Sequence, residues 1–212
     1  MKVAIFSESP ENEAAIRILV DALLGQPTEV AHLHLSKLVT RGWPGVRGSL
    51  SDVLTKLHNR READALVVVV DTDDSPVHQV EHEQPGSLDL ECRLCYLRDV
   101  IRRTQAHLKP RAGMGPIKTA VGVAVTAIEA WYLCGIDPHA TEAAWIQGLR
   151  SKRPPYSRDD LKKAVYGSAR PSRLIEAQRA TEAANRLAQD LSSLESNFPI
   201  GFGALADAVR SW

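Results

Sequence analysis

The sequence predicts an α/β fold: a mainly parallel sheet flanked by helices over residues 1–135, with a helical C-terminal extension over 136–212 packed on that core as one structural domain. Three observations lead there. The run Ala65-Leu66-Val67-Val68-Val69-Val70 is continuous, aliphatic and rich in β-branched residues, which marks a strand buried on both faces. Lys2-Val3-Ala4-Ile5-Phe6 is a second such run, followed by a polar turn and a helically spaced set, Ala14, Ala15, Ile18, Leu19, Ala22 and Leu23. Strand and helix patterns then alternate as far as Ala127, the order that builds a three-layered parallel sheet.

Each element has its own signal. Ser9 and Pro10 suit an N-cap and first helical position, and the acidic residues after them match the positive helix end. Glu29 to Leu35 alternates, predicting a second strand less buried than the first. Arg41-Gly42-Trp43-Pro44-Gly45-Val46-Arg47-Gly48 reads as a glycine-rich basic loop, and Ser51 to Arg61 as a helix with Val53, Leu54 and Leu57 inward. A polar loop spans Ser75 to Ser87, and Asp89 to Leu108 reads as a long amphipathic helix. Ile117 to Ala127 supplies the fourth strand. Beyond Thr126 come a helix through Ile128–Leu133, a turn at Gly135–Pro138, and helices at Ala140–Leu149 and Asp159–Tyr166. One long helix is expected over Ser172–Leu194.

At 212 residues, 44% hydrophobic and 25% charged with zero formal net charge, the chain has ordinary globular composition and no global basic field for nucleic acid, although a local patch remains open. No apolar stretch reaches membrane-spanning length and the opening residues lack a signal-peptide pattern, which predicts a cytoplasmic protein with no membrane partner. Three cysteines, Cys92, Cys95 and Cys134, cannot all pair internally and fit a reducing compartment. Cys92 and Cys95 have zinc-type separation, with His78 and His82 upstream. Leu88, Leu90, Leu94, Leu97, Val100 and Ile101 favour the plainer reading, an amphipathic helix whose cysteines pack as small apolar residues.

The chemistry concentrates at strand ends. Asp71-Thr72-Asp73-Asp74 closes the most apolar run, at the rim where open α/β sheets bind ligands. In extended chain Asp71 and Asp73 project to one side, and adjacent carboxylates require a proton or cation between them. Mg²⁺ (or Mn²⁺) suits such hard oxygen ligands. Glu8 occupies the turn after the first strand, so neighbouring parallel strands would bring it to Asp71 and Asp73. Glu129 follows the fourth strand beside Trp131 and Leu133, where a carboxylate requires a partner. Taken singly, these acids are also explained as turn formers, helix caps or members of a salt bridge. Arg41, Arg47, Lys162 and Lys163 are candidate phosphate contacts, with Lys152 and Arg153 further cations; surface solvation is the alternative for each. Walker and dinucleotide glycine fingerprints are absent from the sequence, and the histidines show no nucleophile pairing.

With Glu8 in Phe6-Ser7-Glu8-Ser9-Pro10-Glu11-Asn12-Glu13 and Asp71-Thr72-Asp73 after the buried strand, the pattern resembles a Toprim domain. Ala127-Ile128-Glu129-Ala130-Trp131-Tyr132-Leu133 with Asp137-Pro138, Asp160-Leu161-Lys162-Lys163, Ser196-Asn197-Phe198 and the Phe202–Trp212 ending look similar to small stand-alone Toprim-like proteins related to OLD-family nucleases. The resemblance implies a Toprim-like (Rossmann-like) sheet and Mg²⁺-dependent cleavage or transfer of phosphodiesters, DNA more than RNA. In it Glu8 acts in acid/base chemistry or holds metal, Asp71 and Asp73 coordinate Mg²⁺, and Glu129 completes a second metal position. It also implies a partner ATPase and a role in defence against foreign DNA; a homodimer is compatible with it. The family's usual Gly after the first Glu is Ser9 here, which fits only a turn with negative φ. Two other classes stay open: a non-catalytic nucleic-acid-binding or regulatory subunit, and a flavodoxin-like nucleotide-binding protein.

Overall fold

The computed structural model describes residues 1–33, 42–84, 89–110 and 115–212. Four parallel strands, β1 (Lys2–Ser7), β2 (Glu29–Val30), β3 (Ala65–Asp71) and β4 (Lys118–Ala124), lie in the order β2-β1-β3-β4. Between them run α1 (Glu13–Leu24), α2 (Gly42–Arg60) and α3 (Arg93–His107); α4 (Ile128–Tyr132) follows β4. The α/β class, the parallel sheet and the helical C-terminal part agree with the sequence reading. β3 is buried throughout. Its alternate residues divide between two cores, Ala65, Val67 and Val69 on one face and Leu66, Val68 and Val70 on the other. That division is the physical reason the run is apolar at every position.

The first core belongs to α1 and the C-terminal helices, the second to α2 and α3. The C-terminal part comprises α5 (Glu142–Ser151), α6 (Arg158–Tyr166), α7 (Arg173–Leu187), α8 (Leu191–Asn197) and α9 (Ala204–Arg210). Its Leu161, Ala184, Phe198, Phe202 and Leu205 share one cluster with Val3, Ile5 and Val67 of the sheet. A π-turn over Pro199–Gly203 presses backbone onto backbone: a Cβ on Gly201 would stand 2.1 Å from the Val123 carbonyl oxygen. Among the described residues no helix is long and apolar enough to cross a membrane.

Several boundaries differ from expectation. The segment expected as a glycine-rich loop is helical from Gly42 onward, because Pro44 sits in its first turn, where its missing N–H costs nothing, and Val46 and Leu50 are buried. Arg41 lies outside the described residues, as do His34 and Leu35 of the expected second strand. Of the described residues of that strand, Glu29 to Leu33, only Glu29 and Val30 are in the sheet, and both are exposed. The expected Asp89–Leu108 helix begins only at Arg93. The long C-terminal helix breaks after Leu187, and Asp190 restarts it by accepting the Ser193 N–H at 3.1 Å.

Candidate functional site

β1 and β3 are hydrogen-bonded neighbours with Ser7 opposite Val69, so the turn after β1 meets the end of β3. Glu8 Oε1 accepts the Asp71 backbone N–H at 3.1 Å. Ser9, with φ −128°, lies in extended backbone, so this turn has the negative φ that a serine requires. Ser9 is the N-cap of a short 3₁₀ turn, Pro10–Asn12, that opens on Pro10 as expected, but its hydroxyl donates to Glu11 at 2.7 Å and makes no capping hydrogen bond. β1 lies between β2 and β3, and the chain leaves it first toward one neighbour and later returns to the other. Such a reversal opens a crevice beyond the strand ends.

The period-two argument stops at Asp71, the last residue of β3. Asp73 is left-handed at φ +44°, a conformation aspartate tolerates better than most residues. Thr72 and Asp73 nevertheless extend the ladder, their N–H groups donating to Ala124 O (2.8 Å) and Thr126 O (3.0 Å). Asp71 Oδ1 accepts the Ile128 N–H at 2.9 Å, which ties β3 to the start of α4. Glu129, in the same turn, is 4% exposed, and its Oε2 is buried without a hydrogen-bond partner.

Two arginines hold these acids together, and sequence reasoning missed both. Arg158 forks across the aspartates, Nη2 to Asp71 Oδ2 at 2.8 Å and Nη1 to Asp73 Oδ1 at 2.5 Å. Arg93 Nη1 donates to Glu8 Oε1 (3.0 Å) and to the Asp71 carbonyl (2.6 Å), its Nη2 pairs with Asp73 Oδ2 (3.0 Å), and its guanidinium lies 4.8 Å from the Trp43 ring centre. Arg158 is aimed by a capping box in which Ser157 and Asp160 exchange hydrogen bonds at the start of α6. Spacing held a clue: Arg158, Lys162 and Tyr166 recur every fourth residue on one helix face.

A cavity of about 210 Å³ opens over this rim, lined by Glu8, Asp71, Glu129, Arg158, Lys162 and Tyr166 among others. On the far side of Arg158 a hollow of about 560 Å³ is bordered by Asp73, Arg93, Trp145 and Tyr156. The Trp145 and Tyr156 rings stack there at 5.1 Å. Of the expected phosphate contacts, Lys162 reaches the cavity and pairs with Glu176 at 4.0 Å. Lys163 is exposed outside it. Arg47 sits elsewhere, on α2 over the Tyr96 ring at 5.1 Å.

Packing acids together alters their protonation. Burial, then repulsion from Glu129 and Glu8, pushes Asp71 well above the carboxylate range against the pull of Arg158. Burial likewise raises Glu8, with Arg93 opposing, and it raises Glu129 despite Lys162, Arg158 and a hydrogen bond with Tyr166. The acids are hard oxygen donors and one buried oxygen is unpartnered, but among the described residues they do not form a group of three or more ligand atoms drawn together as around a metal ion.

His78, His82, Cys92 and Cys95 come together away from the acids. Both cysteines do pack into the core beside α2. Because α3 starts only at Arg93, however, they also meet the two histidines, and the four ligand atoms lie within 4.8 Å of one another. Comparison of the chain with protein-family models, with curated proteins and with solved structures gives no match.

Proposed function

We propose that the chain is a Toprim-type nuclease dependent on Mg²⁺ or Mn²⁺ that hydrolyses phosphodiesters, with DNA as the substrate. The observation that carries the reading is the meeting of Glu8, Asp71 and Glu129, from the ends of three parallel strands, on a crevice that Arg158 also lines, with Asp73 and Arg93 bordering the hollow beyond Arg158. Asp71 and Asp73, with Glu8 and Glu129 beside them, would hold the cation, which supplies Lewis-acid activation of water and charge stabilisation at the leaving oxygen.

The chain's own residues have separate tasks. Glu8, its carboxyl raised by burial, is the proton acceptor next to the aspartates. Arg158, at 44% side-chain exposure, is free to exchange its carboxylates for a nonbridging phosphate oxygen, and Lys162 offers a second cation on the same face. Arg93, 10% exposed and pinned by four contacts, stays with the acids and limits their mutual repulsion. Trp145, stacked on Tyr156, gives a base a flat partner beside the arginines.

The test is incubation of purified protein with plasmid and with single-stranded DNA and RNA, with Mg²⁺, Mn²⁺ or chelator. Cleavage should require the cation and should fall by at least about 10³-fold in Asp71→Asn and Glu8→Gln, the scale of losing a transition-state contact. Cleavage that survives chelator or these substitutions overturns the reading. A second reading rests on the double arginine clamp: carboxylates already neutralised by Arg93 and Arg158 form a structural hub in a non-catalytic nucleic-acid-binding subunit. Nucleic-acid binding without turnover under every cation would select it.

A further inference from the structure

Two segments run outward from the acidic rim. One leaves Asp73 and passes through His78 and His82; the other is the start of α3, where Arg93 reaches back to the acids. We propose that His78, His82, Cys92 and Cys95 form a structural zinc site joining them, separate from the carboxylate site.

The spacing is His-x₃-His with Cys-x₂-Cys, within the ranges of four-ligand zinc sites. Geometry adds more. Cys95 Sγ stands 3.3 Å from His78 Nδ1 and 3.7 Å from His82 Nδ1, and Cys92 Sγ is 3.6 Å from His78 Nδ1. A tetrahedral ion with Zn–S of about 2.3 Å and Zn–N of about 2.05 Å sets nitrogen and sulfur about 3.6 Å apart. The separations found are compatible with a coordination shell as well as with S–H···N hydrogen bonds, and what points to an ion is that all four ligand atoms gather within 4.8 Å of one another. Both cysteines are buried and unpaired.

The surroundings suit the ion. His82 presents Nδ1 to the cluster while its Nε2 faces Asp89 Oδ2 at 3.6 Å, the carboxylate–histidine arrangement that orients zinc ligands. Asp89 also accepts the backbone N–H groups of Glu91 (2.9 Å) and Cys92 (3.4 Å), so one carboxylate braces both segments. The cysteines occupy the N-cap and first turn of α3. Two thiolates and two neutral imidazoles balance Zn²⁺ and leave no open position, which makes the site structural. Ligand type sorts the metals, soft sulfur for zinc and hard oxygen for Mg²⁺. Arg93 lies between the two cysteines, so the zinc would fix the root of the side chain that reaches Glu8, Asp71 and Asp73.

The full-length chain purified without chelator should carry one zinc per molecule. Cobalt exchange should give tetrahedral visible bands with thiolate charge transfer, and X-ray absorption should find two sulfurs and two nitrogens. Asp89→Asn, which keeps an acceptor for the backbone, should weaken zinc by about 10–100-fold. The double variant Asp71→Asn/Asp73→Asn should keep it, whatever happens to cleavage. A Cys92→Ser/Cys95→Ser chain that still holds zinc stoichiometrically overturns the proposal. So does wild-type protein that takes up neither zinc nor cobalt, a result that does not depend on any variant folding.

Discussion

Arg158 stands where a cation would be expected, and replacing it separates its two effects. In Arg158→Met the stem packing is kept and the charge removed. Point charges at the 2.8 Å between Nη2 and Asp71 Oδ2 attract by about 6 kcal/mol at an effective dielectric of 20. Desolvation and side-chain ordering consume most of this, and the 44% exposure of Arg158 places the net worth near 1 kcal/mol. The fold should therefore lose only about 1 kcal/mol by urea denaturation. Metal affinity should move the other way. A divalent ion about 5 Å from the guanidinium is repelled by about 1.7 kcal/mol even at the dielectric of water, so removing Arg158 should tighten Mn²⁺ binding at least about tenfold. Calorimetric or paramagnetic titration of wild type and variant reads this directly. Cleavage should fall meanwhile, because the phosphate loses its contact. Unchanged or weaker Mn²⁺ binding, or a loss of several kcal/mol in stability, would refute the idea that Arg158 holds the place of a cation.

Two predictions concern the supporting structure. Burial pushes Glu142 up to about 7, against the hydrogen bonds it accepts from the Ile200 and Gly201 N–H groups. Because the folded value exceeds the unfolded one, its contribution is complete below about pH 4.5 and is lost as pH rises to about 7, roughly 3 kcal/mol over that window. Chemical denaturation across that range should show wild-type stability falling with pH, and Glu142→Gln should flatten the slope. At the neighbouring turn, the Cβ of Gly201→Ala would meet the Val123 carbonyl at 2.1 Å and Glu142 Oε1 at 2.8 Å. The backbone must move, so a loss of at least about 3 kcal/mol is expected by thermal or urea unfolding; retention of wild-type stability would contradict the tight contact.

How far the sequence could be read depended on the range of the interaction. β1 and β3 are legible because burial on both faces leaves an unbroken apolar run, and the acids after them follow from strand direction alone. Glu129 is legible for the same reason. Arg93 and Arg158 are not, since each reaches the rim from a helix whose placement is a tertiary result. The Gly42–Gly48 stretch misleads because buried Val46 and Leu50 outweigh the low helix propensity of glycine. The metal-type cluster was half legible. Each pair has its spacing, but the cysteines pack in the core, and only the start of α3 at Arg93 brings them to the histidines as well.

The rim has two authors far apart along the chain. Its strand-end carboxylates come from residues 8 to 129, while Arg158, Lys162 and Tyr166 arrive on α6. As the polypeptide leaves the ribosome, the acids emerge before most of their counter-charges, with Arg93 alone among the site's cations preceding Glu129. A fragment ending before α6 would thus inherit an electrostatic debt, and the crevice completes itself only when the tail folds back over the sheet.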